Sequence, residues 1–152
     1  TGCNDLMTTT DMLSHDELKK MYNKSKFIFL PNEKDASPRV LTEALAYDVP
    51  VLMNKNILGG WKYINKDTGE FFTNENDLEN SLKIIMNKIK NKKYQPRNYF
   101  VKNYSVINSG KRLKTFLYDN YGSRINIDRN NIDYITIETS KTDFKKCEPV
   151  YN

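Results

Sequence analysis

Short apolar runs alternate with amphipathic segments along this chain, and that alternation restricts its fold more than any other feature. The apolar runs are FIFLP at residues 27–31, VPVLMN at 49–54 and TGEFF, a turn followed by a strand, at 68–72. Strands separated by helical segments with short connections form βαβ units, in which neighbouring strands are parallel. We therefore expect an α/β fold, a doubly wound, Rossmann-like parallel sheet flanked by helices, with the first two runs buried on both faces.

Capping residues and apolar spacing predict the helices. Ser14 and Glu17 form a capping box, and Leu18, Met21 and Tyr22 follow on one helix face. Further helices are predicted at 38–47, beginning with Pro38, at 75–90, capped by Asn74 or Asn76, and at about 106–120. The helix at 75–90 has one apolar side, formed by Leu78, Leu82, Ile85, Met86 and Ile89.

The C-terminal residues follow a different pattern. INIDRNNIDYITIETS alternates with a period of two and carries no helix signal. We therefore predict a Rossmann-like domain at residues 1–121 and, at 122–152, an extension that forms a β-hairpin or a flexible tail.

Charge and cysteine content restrict the environment. Formal net charge is +5, and the excess lies in residues 83–102, which contain no acid. This segment is either a solvated face or a peripheral contact with anionic lipid; its aromatic residues match no RNA-binding signature, which disfavours nucleic acid. Cys3 and Cys147 have no metal-ligand spacing and favour a reduced, cytoplasmic compartment.

One loop and the helix after it carry the strongest functional signal. Asp35 lies in the loop after FIFLP, and Glu43 lies eight positions later, within the 38–47 helix. Ligands of parallel sheets bind beyond the carboxyl ends of the strands, and a helix start offers free N–H groups to phosphate. Carboxylates accept hydrogen bonds from paired hydroxyls. The alternative is a plain surface, with Arg39 and Glu43 as an exposed i,i+4 ion pair.

The order of these features resembles the C-terminal, donor-binding half of GT-B glycosyltransferases, especially the large retaining family four. The matching residues, between about 13 and 120, are Leu18, Tyr22, Pro31, Asp35, Glu43 with Ala44, Pro50 with Val51, Gly59 with Gly60, and Gly69. The resemblance implies that residues 1–121 are a nucleotide-sugar-binding domain, incomplete on its N-terminal side.

The resemblance also implies roles. Asp35 would contact the transferred sugar and Glu43 the ribose hydroxyls, and backbone near Met12 and Leu13 would face the base. The N–H groups of Ser37, Arg39 and Val40 would hold the diphosphate. The implied reaction transfers a sugar from a UDP- or GDP-sugar with retention and needs no metal or cofactor, in agreement with the lack of an Asp-x-Asp pair.

The sequence also departs from the family pattern. Asp35 replaces the usual Glu, Ala36 a Gly, and Asp48 the Gly that ends the helix, while Pro38 removes an N–H donor. The acceptor domain would lie elsewhere on this polypeptide or on another chain, so this chain alone is expected to be inactive. A non-catalytic interaction module on the same scaffold is the alternative function.

Two further candidates, Trp61 and Lys62, directly follow the glycine pair. Trp61 is suited to stacking on a ring, although a lone aromatic residue is more often part of the core. Lys62 is either a phosphate ligand or a solvated lysine.

Overall fold

The computed structural model describes residues 10–125, and its elements follow the predicted alternation. They are α1 (His15–Lys24), β1 (Ile28–Leu30), α2 (Arg39–Ala46), β2 (Val51–Asn54), a 3-10 turn (Trp61–Tyr63), β3 (Gly69–Phe72), α3 (Glu75–Lys90), α4 (Pro96–Tyr104) and α5 (Val106–Ile125). The chain forms two compact units, one ending at Tyr104 and one beginning at Ser105.

The three strands form one parallel sheet in the order β1-β2-β3. Ile28 is paired with Val51, and Val51 in turn with Gly69. The crossover from β1 to β2 is made by α2, as a βαβ unit requires. The predicted α/β class, with a partial Rossmann-like parallel sheet flanked by helices, is therefore confirmed.

Apolar side chains pack on both faces of the central strand β2, which is apolar from Val51 to Met53. Val51 and Met53 join a core with Tyr22, Leu41 and Leu45, which α1 and α2 supply. Leu52 points the other way and packs with Phe72 and Ile85, against α3. Successive side chains of a strand alternate between faces, so one continuous apolar run serves two cores.

Two predictions about burial were wrong, and one helix was missed. FIFLP is not buried on both faces, since β1 is an edge strand of the described sheet and Phe29 is 45% exposed. Met21 and Met86 belong to the predicted apolar sides of α1 and α3 but are also exposed. Helix α4 was not predicted.

The helix ends follow the sequence signals closely. Ser14 and Glu17 form the predicted capping box of α1, and Asn74 and Asp77 form an equivalent one at α3. Asp48 adopts a left-handed conformation with φ of 63° directly after α2, where the family pattern has Gly. Its carboxylate accepts a hydrogen bond from the Arg97 N–H at 3.0 Å, which ties the end of α2 to α4.

The second unit is represented by α5, which begins at the predicted position and continues to Ile125. The boundary predicted at 121/122 therefore falls inside this helix, and the hairpin or tail predicted beyond it lies mostly outside the described residues. Cys3 and Cys147 lie outside them too. Within the described part of the chain, no helix combines the length and apolar character that crossing a membrane requires.

Candidate functional site

The loops that follow β1 and β2 meet at the carboxyl edge of the sheet. Asn54 ends β2 and is buried, and its Nδ2 donates hydrogen bonds to the Pro31 carbonyl at 3.2 Å and to Glu33 Oε1 at 3.4 Å. The Leu58 N–H donates to the Glu33 carbonyl at 3.0 Å. Because the buried Asn54 amide group donates to two acceptors in the loop after β1, it holds that loop against the end of β2 in one arrangement.

Gly59 and Gly60 allow these loops to approach closely. A Cβ at position 59 would lie 2.0 Å from the Ala36 carbonyl oxygen, so no side chain fits there. Gly60 has a φ of 94° and lies against Pro38 and Leu41. The glycine turn therefore packs directly on the segment that leads into α2.

The start of α2 is suited to an anion. Pro38 makes no side-chain cap, and the first turn contains no acidic residue. The N–H groups of Arg39 and Val40 have no acceptor among the described residues. Such groups carry the positive end of the helix dipole.

Asp35 closes a local turn before this helix. Its Oδ1 accepts a hydrogen bond from the Ser37 N–H at 2.9 Å. Of the three N–H groups predicted to hold a diphosphate, the one of Ser37 is therefore already engaged. The other carboxylate oxygen of Asp35 has no donor among the described residues.

Glu43 lies on the exposed side of α2, yet its carboxylate has a fixed partner. The Tyr22 hydroxyl donates a hydrogen bond to Glu43 Oε2 at 3.0 Å. Tyr22 is 3% exposed, and its ring stacks on Tyr47 with centroids 5.0 Å apart and planes 11° from parallel. Burial, and then the hydrogen bond to Glu43, raise the pKa of Tyr22 far above its ordinary value, so the hydroxyl remains a donor at every physiological pH.

The plain-surface alternative required an ion pair between Arg39 and Glu43. In residues 10–125 the ion pairs join Lys83 to Glu79 and Lys88 to Glu70. Arg39 therefore forms no ion pair with Glu43. The partner of Glu43 is the Tyr22 hydroxyl, a contact that was not predicted. The sequence places Tyr22 in the apolar stripe of α1 and among the residues that match the family pattern, and neither predicts this hydrogen bond.

The remaining candidates lie around the same edge or before α1. Met12 is fully exposed and Leu13 is half-buried, just before α1. Trp61 is 49% exposed and its Nε1 donates to the Lys55 carbonyl at 3.2 Å, so the expectation that it belongs to the core was wrong.

Lys62 is exposed, and its ammonium group lies over two aromatic rings. Its Nζ lies 5.0 Å from the ring centroid of Tyr63 and 5.7 Å from that of Tyr104. Cation–π contacts at this range stabilise an ammonium group.

No cluster of three acidic, histidine or cysteine side chains suited to a metal occurs in the part of the chain that the structure describes.

Comparison with known proteins gives one match. A family model described as "Glycosyl transferases group 1" matches residues 2–106, which include every candidate residue above. No curated protein and no solved structure matches the chain.

Proposed function

Because the chain belongs to the glycosyl transferases group 1 family, we propose that its first unit binds the nucleotide sugar donor of a retaining glycosyltransferase. The donor in this proposal is a UDP- or GDP-sugar. An acceptor domain, on the same polypeptide or on another chain, completes the active site, so the chain alone binds donor without turnover.

The observation that carries the proposal is the position of Glu43 on α2. The first turn of this helix contains no acidic residue, and the Glu43 carboxylate follows about one turn later. Arg39 and Val40 offer free N–H groups, and Glu43 follows on the same helix, about 6 Å further along its axis. A diphosphate on the N–H groups then places the ribose hydroxyls within reach of Glu43. Both recognition elements belong to one rigid helix.

The chemistry of transfer follows from the same arrangement. When the bond between sugar and diphosphate breaks, negative charge develops on the leaving phosphate, and the helix start stabilises it without a metal. The second carboxylate oxygen of Asp35 contacts the transferred sugar in this proposal. Asp35 is one methylene shorter than the usual Glu. We expect its hydrogen bond with the Ser37 N–H to hold the carboxylate so that Oδ2 keeps one direction.

Calorimetric titration with UDP and GDP tests the proposal. We expect weak binding of one of them, and Glu43→Gln to weaken it at least about tenfold, because a hydroxyl then loses a charged acceptor. Glu79→Gln is the matched control, since Glu79 is an exposed helical glutamate paired with Lys83 on α3. Binding that is equal in both variants, or no binding of either nucleotide, contradicts the proposal, and the latter result favours a non-catalytic module.

A further inference from the structure

We propose that Tyr22 is a positioning residue that fixes the Glu43 carboxylate for the ribose and thereby sets the preference for ribonucleotides over 2′-deoxyribonucleotides. The inference rests on the proposed function, which assigns the ribose to Glu43. Tyr22 itself does not touch the ligand in this proposal.

Glu43 needs an external partner to be ordered. It is exposed on α2, and a glutamate side chain with three rotatable bonds samples many rotamers in water. The Tyr22 hydroxyl at 3.0 Å selects the rotamers that bring Oε2 to it. Ordering the carboxylate before the ligand arrives removes part of the entropy cost of binding.

Tyr22 is suited to positioning Glu43 because packing on all sides restricts its ring. Its ring is buried, stacked on Tyr47, and packed in the core that α1 and α2 share. The capping box at Ser14 fixes the start of the helix that carries it. The hydroxyl is thus a fixed point on one helix that reaches the acid on another.

The hydrogen-bond pattern leaves Glu43 able to accept from a ligand. Tyr22 uses one site on Oε2, while Oε1 has no donor among the described residues. Because a carboxylate has about four acceptor sites, two adjacent hydroxyls of a ribose can still be accepted. A ligand without its 2′-hydroxyl leaves one of those interactions unmade, which is the basis of the expected preference.

A purely structural link between α1 and α2 is the competing explanation, and the ratio of two dissociation constants separates the two. The titrations use UDP and 2′-deoxy-UDP, or GDP and 2′-deoxy-GDP if GDP binds better. We expect Tyr22→Phe to weaken ribonucleotide binding about 3- to 10-fold and to leave deoxyribonucleotide binding nearly unchanged. In a Glu43→Ala background, which leaves the Tyr22 hydroxyl no side-chain acceptor at position 43, Tyr22→Phe should have no further effect on the ratio.

Tyr94→Phe is the matched control. Tyr94 also donates its hydroxyl to a glutamate, Glu70, but on the α3 side of the sheet. Its loss should lower stability without changing the ratio. Glu43→Asp is a second test that leaves the core intact, because the shorter carboxylate withdraws from Tyr22 and should lose the preference as well.

Two outcomes distinguish failure of the inference from failure of the function. If Glu43→Gln weakens binding but Tyr22→Phe and Glu43→Asp keep the wild-type ratio, Tyr22 is only structural and the inference is overturned. If Glu43→Gln leaves nucleotide binding unchanged, the donor-binding function fails, and the inference fails with it.

Discussion

Gly59 is the residue at which one added methyl group tests the site most directly. Its Cβ would lie 2.0 Å from the Ala36 carbonyl oxygen, which belongs to the backbone and cannot rotate away. We expect Gly59→Ala to separate the two loops, to destabilise the chain by roughly 1–3 kcal/mol and to weaken nucleotide binding. Thermal unfolding and calorimetry measure the two effects.

Gly110 provides the control for that substitution. It lies within α5, and nothing approaches within 4 Å of the position its Cβ would take. Gly110→Ala should therefore stabilise the helix by about 0.5–1 kcal/mol and leave binding unchanged. Equal effects of the two substitutions would show that the close approach at Gly59 is not a constraint.

Among single residues, the sequence predicted those whose signal is local. Spacing marked the turn at Asp35, the helix start and Glu43 as candidates, and the resemblance to GT-B glycosyltransferases was needed to favour them over a plain surface; their roles stay predictions. The contact between Tyr22 and Glu43 could not, because it joins residues 21 positions apart and depends on how α1 packs beside α2. A tyrosine in an apolar stripe is the available signal, since its buried hydroxyl usually needs a partner.

The acids of the two capping boxes, Glu17 and Asp77, contribute to the pH dependence of stability, and Asp77 in α3 shows the direction. Hydrogen bonds from the backbone N–H groups of Asn74 and then Thr73 lower the pKa of Asp77. Because the pKa of Asp77 is lower in the folded chain than in the unfolded chain, the ionised carboxylate stabilises the fold at pH values above the ordinary carboxyl pKa. This contribution is lost as the pH falls below about 4. We expect Asp77→Asn to flatten the loss of stability on acidification, measured as unfolding midpoints between pH 7 and pH 3. An unchanged pH profile would contradict a role for this cap.

Element types were predicted well where caps and apolar periodicity agree, as in α1, α2, α3 and the three strands. Helix α4 was missed because its sequence is rich in Asn and basic residues. A signal was nevertheless present, since Pro96 begins the helix and Tyr99 and Phe100, three and four positions later, pack on the core. The exposure of Phe29 could not be predicted, because a continuous apolar run does not say whether its strand is central or at an edge.

The charge of the whole molecule is concentrated away from the candidate site. Lys83 and Lys88 are engaged by glutamates, whereas Lys90, Lys92 and Lys93 are exposed at the end of α3 and in the turn after it. The Gln95 N–H donates to the Asp67 carbonyl, just before β3, so this turn lies at the amino edge of the sheet. A contact made there would leave the opposite edge free.

Vesicle binding tests the proposed peripheral membrane contact. We expect the chain to sediment with phosphatidylserine vesicles at low ionic strength and to be released as salt is raised, because exposed lysines act through screened charge. Replacing Lys90, Lys92 and Lys93 with Gln should remove the interaction, and neutral vesicles are the control. Absent or salt-independent sedimentation leaves residues 83–102 as a solvated face.

The close contact between Gly59 and Ala36 places an intrinsic fluorophore, Trp61, beside the two loops. Trp61 is the single tryptophan in the sequence, follows Gly60 directly, and is half exposed with its indole tethered to the Lys55 carbonyl. Because Gly59 packs closely on Ala36, we expect a ligand that shifts the turn before α2 to change the surroundings of this indole as well. We therefore expect intrinsic fluorescence emission to change when a nucleotide occupies that edge of the sheet, with no dye attached.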